Sequence, residues 1–436
     1  MVFFRVTKNI NIKATDGTLV KYLKLKKPSE LLSDQIYVTT YNDINSIKKI
    51  FKRIGAEYKL RVIDEKKITS QNEFPKELGI SNKNEFNIRK KHEYEIDKNP
   101  SYIVHKKDKT IHDITLNENP SLLYKQLSTS KKDAKVAILG GIGKNIGEIV
   151  NALSAVRILH DSLLKKFKSV EIDLYLISSD NTFYSRDKDI MKNEYYINEV
   201  FPLSLSVKKM CEYDFYIDNS SVRHSSYYSH MPFVDAYLHK FGMDYKKIPN
   251  IQKHNHLDIS SHSPKQELVD KLNDLKIKGE LLLYHPYSTD SKRSIPEDIS
   301  IKFLKKLIKK SKHTTVISTL ELKKFKGEGY VNLTSYSKTY YDFAYIISRM
   351  DKIISVDTAT YHISDAFFIP TVVLFTSVKP KNRIKHYSMT KSLEVVDKTQ
   401  SFSRFVFDNE MLSLYKFDGW ENIKVSKVIK LLETIG

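Results

Sequence analysis

Short apolar runs and amphipathic stretches alternate along the chain from about Lys135 onward. The pattern predicts a buried strand at Val136–Leu139, a glycine-rich turn, a helix at Glu148–Lys166 and a second strand at Val170–Ile177. A strand, a glycine-rich loop, a helix and a strand in this order are typical of the start of a doubly wound α/β domain. A Rossmann-like lobe is therefore expected to begin near residue 133.

A second series of the same kind lies in the C-terminal part of the chain. The apolar pattern alternates strands and helices over Glu280–Tyr284, Glu297–Lys310, Thr314–Ser318, Ser337–Met350, Lys352–Val356, Tyr361–Phe367 and Thr371–Phe375. The polar segment His254–Lys265 is predicted to be the crossover between the two series. Two such lobes are expected to face a cleft at the carboxyl ends of their strands, where ligands of these folds bind.

The first 132 residues have a different pattern. Short alternating segments such as Phe3–Ile12 and Gln35–Thr40, with one helical stretch at Ile44–Ile54, predict a small α+β domain. The polar stretch Glu73–Lys98 is predicted to be an exposed connection. The expected domains are an accessory domain at 1–132, an N-terminal Rossmann-like lobe at 133–258 and a C-terminal Rossmann-like lobe at 259–436.

Composition narrows the class of protein. Hydrophobic residues make up 41% of the 436 residues, which is enough for packed cores. The single cysteine, Cys211, excludes an intrachain disulfide and favours a reducing, cytoplasmic location. The longest apolar stretches, near 136–142 and 367–375, are far shorter than the ~20 residues of a membrane helix, and no signal peptide is predicted.

The net charge of +20 favours a polyanionic partner such as nucleic acid, a phosphorylated glycolipid or an anionic membrane face. Residues 1–132 hold 27 basic and 16 acidic residues, so more than half of the excess charge lies in less than a third of the chain. A solvated, lysine-rich surface with no particular partner is the alternative.

The segment from Ile353 to Phe375 contains the clearest candidate site. Asp357 and Thr358 follow a predicted strand and precede a helix, whose free N–H groups and dipole favour an anion at that position. Asp357 is suited to accept hydrogen bonds from sugar or ribose hydroxyls, and His362 to donate one to a phosphate oxygen. Alternatively, Asp357 or Thr358 only caps the helix and His362 is a packed surface residue.

This segment resembles the donor-binding motif of glycosyltransferase family 9, the ADP-heptose:lipopolysaccharide heptosyltransferases. The family pattern is Asp-Thr/Ser-Gly-x-x-His, a helix, then proline and a strand that ends in phenylalanine; Ala359 replaces the usual glycine here. The stretch from His285 to Pro296 resembles the phosphate loop of the same family. By position, the resemblance assigns the phosphate-binding hydroxyls to Ser288 and Thr289 and the basic residue to Arg293. It covers about residues 135–429 and implies the two-lobed GT-B fold.

The glycine-rich loop of the first lobe matches the family less well. The resemblance places an acceptor-side loop at Gly141, Gly143, Lys144 and Asn145. The aspartate that the family carries in this loop, proposed as its general base, is missing, and Glu148 is the nearest carboxylate and the candidate base. A first-turn helix residue without a catalytic role is the alternative. The glycine spacing departs from that of dinucleotide-binding loops.

The resemblance implies an inverting, metal-independent glycosyltransferase without a bound cofactor. The nucleotide sugar, with ADP-heptose as the first candidate, is expected in the C-terminal lobe and an anionic acceptor in the N-terminal lobe. The candidate acceptors are lipopolysaccharide core, which would bring the protein into peripheral contact with a membrane, a protein, or modified bases in DNA glycosylated by a virus-encoded enzyme. A non-catalytic binding protein on a transferase scaffold is the alternative from another class. For His254, His256 and His262, a surface linker that carries histidines is expected, and a metal site is the alternative.

Overall fold

The computed structural model describes residues 1–11, 30–53, 55–69, 73–81, 122–127, 130–176, 184–201, 205–229, 231–322, 325–376, 378–396 and 418–435. The chain divides into two compact units, Met1–Lys253 and His254–Gly436. The second unit begins within the predicted crossover. Most of the stretch predicted to be a connection, Glu73–Lys98, lies outside the described residues.

The first unit contains a long run of short elements. In chain order they are β1 (Val2–Val6), β2 (Ile10–Asn11), β3 (Glu30–Leu31), β4 (Tyr37–Thr39), α1 (Tyr41–Arg53), β5 (Leu60–Ile63), α2 (Glu65–Thr69), β6 (Lys76–Glu77), α3 (Leu122–Gln126), β7 (Asp133–Leu139), α4 (Ile146–Leu164), β8 (Ser169–Tyr175), α5 (Tyr184–Met191), β9 (Glu199–Phe201), β10 (Leu205–Ser206), α6 (Val207–Met210), β11 (Phe215–Asp218) and α7 (Phe233–Lys240).

The main sheet of this unit is parallel, in the order β6-β11-β7-β8-β9. The last four residues of β7, the last four of β8 and all of β11 are buried, as expected for a parallel sheet that is covered on both faces. The first strand of the lobe, β7, lies between β8 and β11, so the strand order reverses between β7 and β11. The predicted Rossmann-like lobe is confirmed.

A second sheet is antiparallel, in the order β10-β4-β1-β5. Its strand β10 comes from the Rossmann-like lobe, and in return β6, from the N-terminal region, pairs with β11. This exchange explains why residues 1–132 and the first lobe form one compact unit, where the sequence predicts two domains. Strands of two residues are too short to produce a hydrophobic period, so the sequence pattern does not show them.

The second unit consists of α8 (Gln266–Lys278), β12 (Glu280–His285), α9 (Glu297–Lys310), β13 (Thr314–Ser318), β14 (Tyr330–Asn332), α10 (Tyr340–Ser348), β15 (Lys352–Val356), α11 (Ala359–Ala366), β16 (Thr371–Phe375), α12 (Lys381–Ile384), β17 (Thr390–Glu394) and α13 (Val425–Glu433). Its parallel sheet has the order β14-β13-β12-β15-β16-β17, which is the Rossmann order 3-2-1-4-5-6. The predicted bounds of α9, β13, β15 and β16 are those observed. The sequence pattern missed α8, β14, α12, β17 and α13.

No helix in the described part of the chain is long and apolar enough to cross a membrane.

Candidate functional site

The candidate site of the second unit lies where its strand order reverses. Strands β12 and β15 are neighbours in the sheet, with His285 opposite Ser355. The loop that follows β12, residues 286–296, therefore meets the β15–α11 turn at the carboxyl edge of the sheet. This reversal point is the place where open α/β sheets bind their ligands.

Asp357 is held by two side chains from different segments. Its carboxylate is buried at 4% exposure. The Tyr361 hydroxyl donates to Oδ1 at 2.9 Å, and Arg293 Nη1 lies 3.4 Å from Oδ2. A carboxylate fixed in this way presents its remaining lone pairs in one orientation.

The helix α11 begins at this carboxylate without a side-chain cap. Thr358 is the N-cap residue, and its side chain makes no capping hydrogen bond. Thr360 lies in the first turn, is fully buried, and its hydroxyl oxygen has no hydrogen-bond partner in the described part of the chain. The interpretation that Thr358 caps the helix through its side chain is therefore wrong. Free backbone N–H groups and an unsatisfied hydroxyl at a helix start are suited to bind an anion.

His362 is a buried residue with a defined partner, so its interpretation as a surface residue is also wrong. It is 4% exposed, and its Nδ1 lies 2.6 Å from the Tyr387 hydroxyl. Burial, reinforced by the positive charges of Arg383 and Arg293, lowers the pKa of His362 well below its ordinary value. The imidazole is therefore neutral at pH 7 and has a single N–H group to donate.

The predicted phosphate loop after β12 is organised by a serine that sequence reasoning did not single out. The Ser294 hydroxyl accepts from the Ser288 backbone N–H at 2.9 Å and lies 3.1 and 3.0 Å from the carbonyl oxygens of Ser288 and Asp290. The Ser288 hydroxyl accepts from the Asp290 N–H at 3.4 Å, and Thr289 is exposed. Arg293 Nε, 3.5 Å from Asp290 Oδ2, is buried and makes no hydrogen bond with the described residues.

Besides Ser294, sequence reasoning did not single out three other side chains at this site: Tyr361, Arg383 and Tyr387. Only Tyr361 had a local signal, because it lies four positions after Asp357 in the first turn of the helix that follows. Arg383 belongs to a basic run around α12, and its charge acts on both Tyr361 and His362. The site therefore contains two arginines where the sequence predicted one.

In the first unit, the glycine-rich loop follows β7 and is packed tightly. Gly140 has a φ of +91°, and a Cβ there would lie 2.6 Å from Ser220 Cβ. Gly143 also has a φ of +91°, and a Cβ there would lie 2.8 Å from the backbone nitrogen of Ile149. Only glycine fits both positions. Asn219, which follows β11, donates through Nδ2 to the Gly141 carbonyl at 2.6 Å and ties the two strand ends together.

The predicted base, Glu148, lies in the first turn of α4 and is engaged on both oxygens. Oε2 accepts from the Lys144 backbone N–H at 2.9 Å and pairs with Arg223 Nε at 3.2 Å. Oε1 accepts from Asn145 Nδ2 at 3.2 Å, and Asn145 Oδ1 caps the helix by accepting from the Glu148 N–H at 3.0 Å. Oε2 therefore has two donors and Oε1 one, which leaves Oε1 as the oxygen with an acceptor position for a substrate proton.

Other carboxyl groups lie near the same end of the sheet. Asp218 ends β11, and its Oδ1 accepts from both the backbone N–H and the hydroxyl of Ser220. Asp43, in the first turn of α1, is 3% exposed and bonds reciprocally with Thr40. Burial raises the pKa of Asp43 to about 7. The negative charge of Asp218 also raises this pKa, whereas the hydrogen bond from Thr40 lowers it. The sequence pattern singles out neither residue, because they come from segments far apart in the chain.

The histidines of the crossover make structural contacts. His262 Nε2 lies 3.2 Å from Asp342 Oδ1, and the ring of His254 packs against Phe368 with centroids 4.9 Å apart. Within the described residues, no group of three or more histidine, cysteine, aspartate or glutamate side chains is arranged to hold a metal ion. Metal independence of the reaction stays a prediction.

No protein-family model matches the sequence, and no curated protein sequence matches it. Solved structures do align. A glycosyl transferase of family 9 from Veillonella parvula is 11% identical, with 71% of this chain and 98% of that chain covered and a TM-score of 0.47. The E. coli ADP-heptose lipopolysaccharide heptosyltransferase II is 12% identical, with 69% and 97% covered and a TM-score of 0.47.

A dodecameric iron-containing glycosyltransferase from enterotoxigenic E. coli is 10% identical, with 70% of this chain and 77% of that chain covered and a TM-score of 0.43. Members of the family that the sequence motifs resemble are thus among the aligned structures. At identities near one tenth and TM-scores below 0.5, these structures assign no residue roles to this chain.

Proposed function

We propose that this protein is an inverting, metal-independent glycosyltransferase that binds a nucleotide-sugar donor in its second unit. The observation that carries the proposal is the uncapped start of α11 at the strand-order reversal. It combines a fixed carboxylate, Asp357, with the guanidinium of Arg293 and with the hydroxyl of Thr360, which has no hydrogen-bond partner among the described residues. A sugar hydroxyl needs such an acceptor, and a diphosphate needs such donors.

In the proposed reaction, an acceptor oxygen forms a bond to the anomeric carbon as the bond from that carbon to the diphosphate oxygen breaks. The acceptor proton goes to a carboxylate, and the departing diphosphate takes the electron pair. Arg293, Arg383 and the N–H groups at the start of α11 stabilise the charge that develops on the diphosphate. Such preorganised electrostatic stabilisation is commonly the largest contribution to rate.

The donor and the acceptor are narrower proposals. The resemblance of residues 285–296 and 353–375 to the family 9 motifs supports ADP-heptose as donor, with Ser288 and Thr289 on the diphosphate. The net charge of +20 supports an anionic acceptor, of which lipopolysaccharide core is the first candidate and a protein or duplex DNA the next.

Glu148 is the proposed base in the first unit. Its engagement by Lys144, Asn145 and Arg223 also supports a second candidate function, a nucleotide-sugar-binding protein without turnover. The two candidates share the donor site and differ only in whether a product forms.

The test is a thermal-shift screen of the full chain against nucleotide sugars and free nucleoside diphosphates. We expect one nucleotide sugar to raise the melting temperature of the wild type and to have no effect on Asp357→Ala. Asp298→Asn, an exposed carboxylate on α9, serves as the control for a lost negative charge and should respond like the wild type.

Mass spectrometry of lipopolysaccharide core, of protein and of duplex DNA incubated with that donor then identifies the acceptor by its gain in mass. Stabilisation without a mass gain on any acceptor and without donor hydrolysis favours the binding protein. If no nucleotide or nucleotide sugar stabilises the wild type, the proposed donor site is wrong.

A further inference from the structure

Asn255 fixes the direction of a buried hydrogen-bond chain that ends at His362. Asn255 is fully buried, and its backbone N–H donates to Asp365 Oδ2 at 2.8 Å. Its side-chain amide lies 3.0 Å from the carbonyl oxygen of His362. Since a carbonyl oxygen can only accept, the amide atom at this contact must be the nitrogen.

The same nitrogen lies 2.8 Å from the Tyr387 hydroxyl. An amide NH₂ group has two hydrogens, so Asn255 donates one to the His362 carbonyl and the other to the Tyr387 oxygen. The hydroxyl therefore accepts from Asn255, and its own hydrogen needs an acceptor. His362 Nδ1, 2.6 Å away, is in position to be that acceptor.

An Nδ1 that accepts cannot carry a proton. Because burial and the charges of Arg383 and Arg293 keep the pKa of His362 well below its ordinary value, the ring is neutral and has one N–H group. That hydrogen must then be on Nε2.

The ring is also held in place by aromatic packing. The centroid of His362 lies 3.9 Å from that of Tyr361 and 5.8 Å from that of Tyr387, the latter in an edge-to-face arrangement with an interplanar angle of 86°. Tyr361 and Tyr387 belong to a buried cluster with Val373 and Phe375. The imidazole therefore has little freedom to flip and exchange its two nitrogens.

We propose that Asn255 and Tyr387 are positioning residues that hold His362 as the Nε2–H tautomer, so that the ring offers an N–H donor to the diphosphate of the donor substrate. The role in binding rests on the proposed function, whereas the tautomer does not. In the opposite tautomer, Nε2 would present a lone pair to an anion and repel it. Fixing the proton on Nε2 therefore lets the neutral ring donate a hydrogen bond to the anion.

The first test is nitrogen NMR of the unliganded full chain labelled at histidine, with the His362 signals identified by their loss in His362→Gln. We expect an unprotonated Nδ1 and a protonated Nε2 in the wild type. Tyr387→Phe should shift the population toward protonated Nδ1. Tyr284→Phe removes another buried hydroxyl of this unit, one bonded to Ser300, and should leave the His362 signals unchanged. Protonated Nδ1 in the wild type would overturn the proposal.

The second test is a double-mutant cycle on binding of ADP and of the nucleotide sugar found in the screen. Tyr387→Phe should weaken binding about tenfold, the scale of one hydrogen bond to a charged acceptor. In the His362→Gln background, Tyr387→Phe should weaken binding less than about twofold, because a glutamine amide keeps its N–H donors whether or not Tyr387 has a hydroxyl.

An equal cost in both backgrounds would show that Tyr387 acts only through packing and would overturn its positioning role. If ADP and every nucleotide sugar fail to bind the wild type, the proposed function fails, and the NMR result still decides the tautomer. Circular dichroism of each variant confirms that the comparison is made between folded proteins.

Discussion

The hydroxyl of Tyr361 donates a 2.9 Å hydrogen bond to Asp357 Oδ1, one helical turn earlier in the chain. Both residues are buried, and the opposite oxygen of Asp357 faces Arg293. The carboxylate is therefore oriented before any ligand arrives, which reduces the side-chain entropy that the protein must lose on binding.

Tyr361→Phe tests this orientation directly. Without the hydroxyl, the carboxylate of Asp357 loses one of its two side-chain partners, and we expect the affinity for the nucleotide sugar to fall about tenfold. Isothermal titration calorimetry measures the change, with Tyr284→Phe as the control for a lost buried hydroxyl. Unchanged affinity in Tyr361→Phe would mean that Asp357 does not depend on this bond.

Thr360→Val separates stability from binding. The Thr360 hydroxyl is buried without a partner among the described residues, so an isosteric valine should raise the free energy of unfolding by about 1 kcal/mol and weaken nucleoside diphosphate binding. Thr371→Val is the matched control. The Thr371 hydroxyl contacts Ser364 and the Ile369 carbonyl, both at 2.8 Å, so its loss should lower stability. Destabilisation by both changes would show that Thr360 is satisfied in solution.

Glu148→Gln distinguishes the transferase from the binding protein. The glutamine keeps the shape of the side chain and removes the charge, so donor binding in the second unit should be unchanged. If Glu148 is the base, turnover should fall at least about 100-fold, the scale of general-base catalysis. A variant with near wild-type turnover would exclude Glu148 as base. Parallel assays of donor binding and product formation make the comparison.

His285 predicts a loss of stability in acid. Burial lowers its pKa from 6.5 to about 4, so between these values the unfolded chain binds a proton that the folded chain does not. The stability that the neutral, buried His285 contributes is fully present above pH 6.5 and is lost as the pH falls toward 4. Between pH 6.5 and pH 4, we expect the free energy of unfolding of the wild type to fall by roughly 3 kcal/mol relative to that of His285→Asn. Urea unfolding at several pH values measures it.

The effect of Asp43 on stability should have the opposite dependence on pH. Its pKa is raised from 3.8 to about 7, so between these values the folded chain holds a proton that the unfolded chain has lost. The associated stability is present below about pH 4 and is lost as the pH rises to 7. As the pH rises over this range, the free energy of unfolding of Asp43→Asn should therefore increase relative to that of the wild type by up to roughly 4 kcal/mol. A difference that does not vary with pH would place Asp43 in contact with solvent.

The amino-acid sequence by itself determined the regular elements with strong apolar periods and the local part of the site. Strands such as Lys352–Val356 and Thr371–Phe375 are buried on both faces, so their composition alone identifies them. Asp357 and His362 became candidates because a contiguous motif, at a strand end and in the helix that follows it, resembles that of family 9. The loop of residues 285–296 became a candidate in the same way, because its hydroxyl and basic residues are neighbours in the chain; the roles of these residues stay predictions.

The tertiary structure alone decided which segments meet. Arg293 reaches Asp357, 64 residues away, because β12 and β15 are adjacent in the sheet, and strand order is not encoded in any local period. Asn255 and Tyr387, 132 residues apart, meet for the same kind of reason. The two-residue strands β6 and β10 join the N-terminal residues to the first lobe through backbone pairing, which leaves no side-chain pattern to detect. Local periodicity determines elements, whereas long-range packing and hydrogen bonding decide their partners.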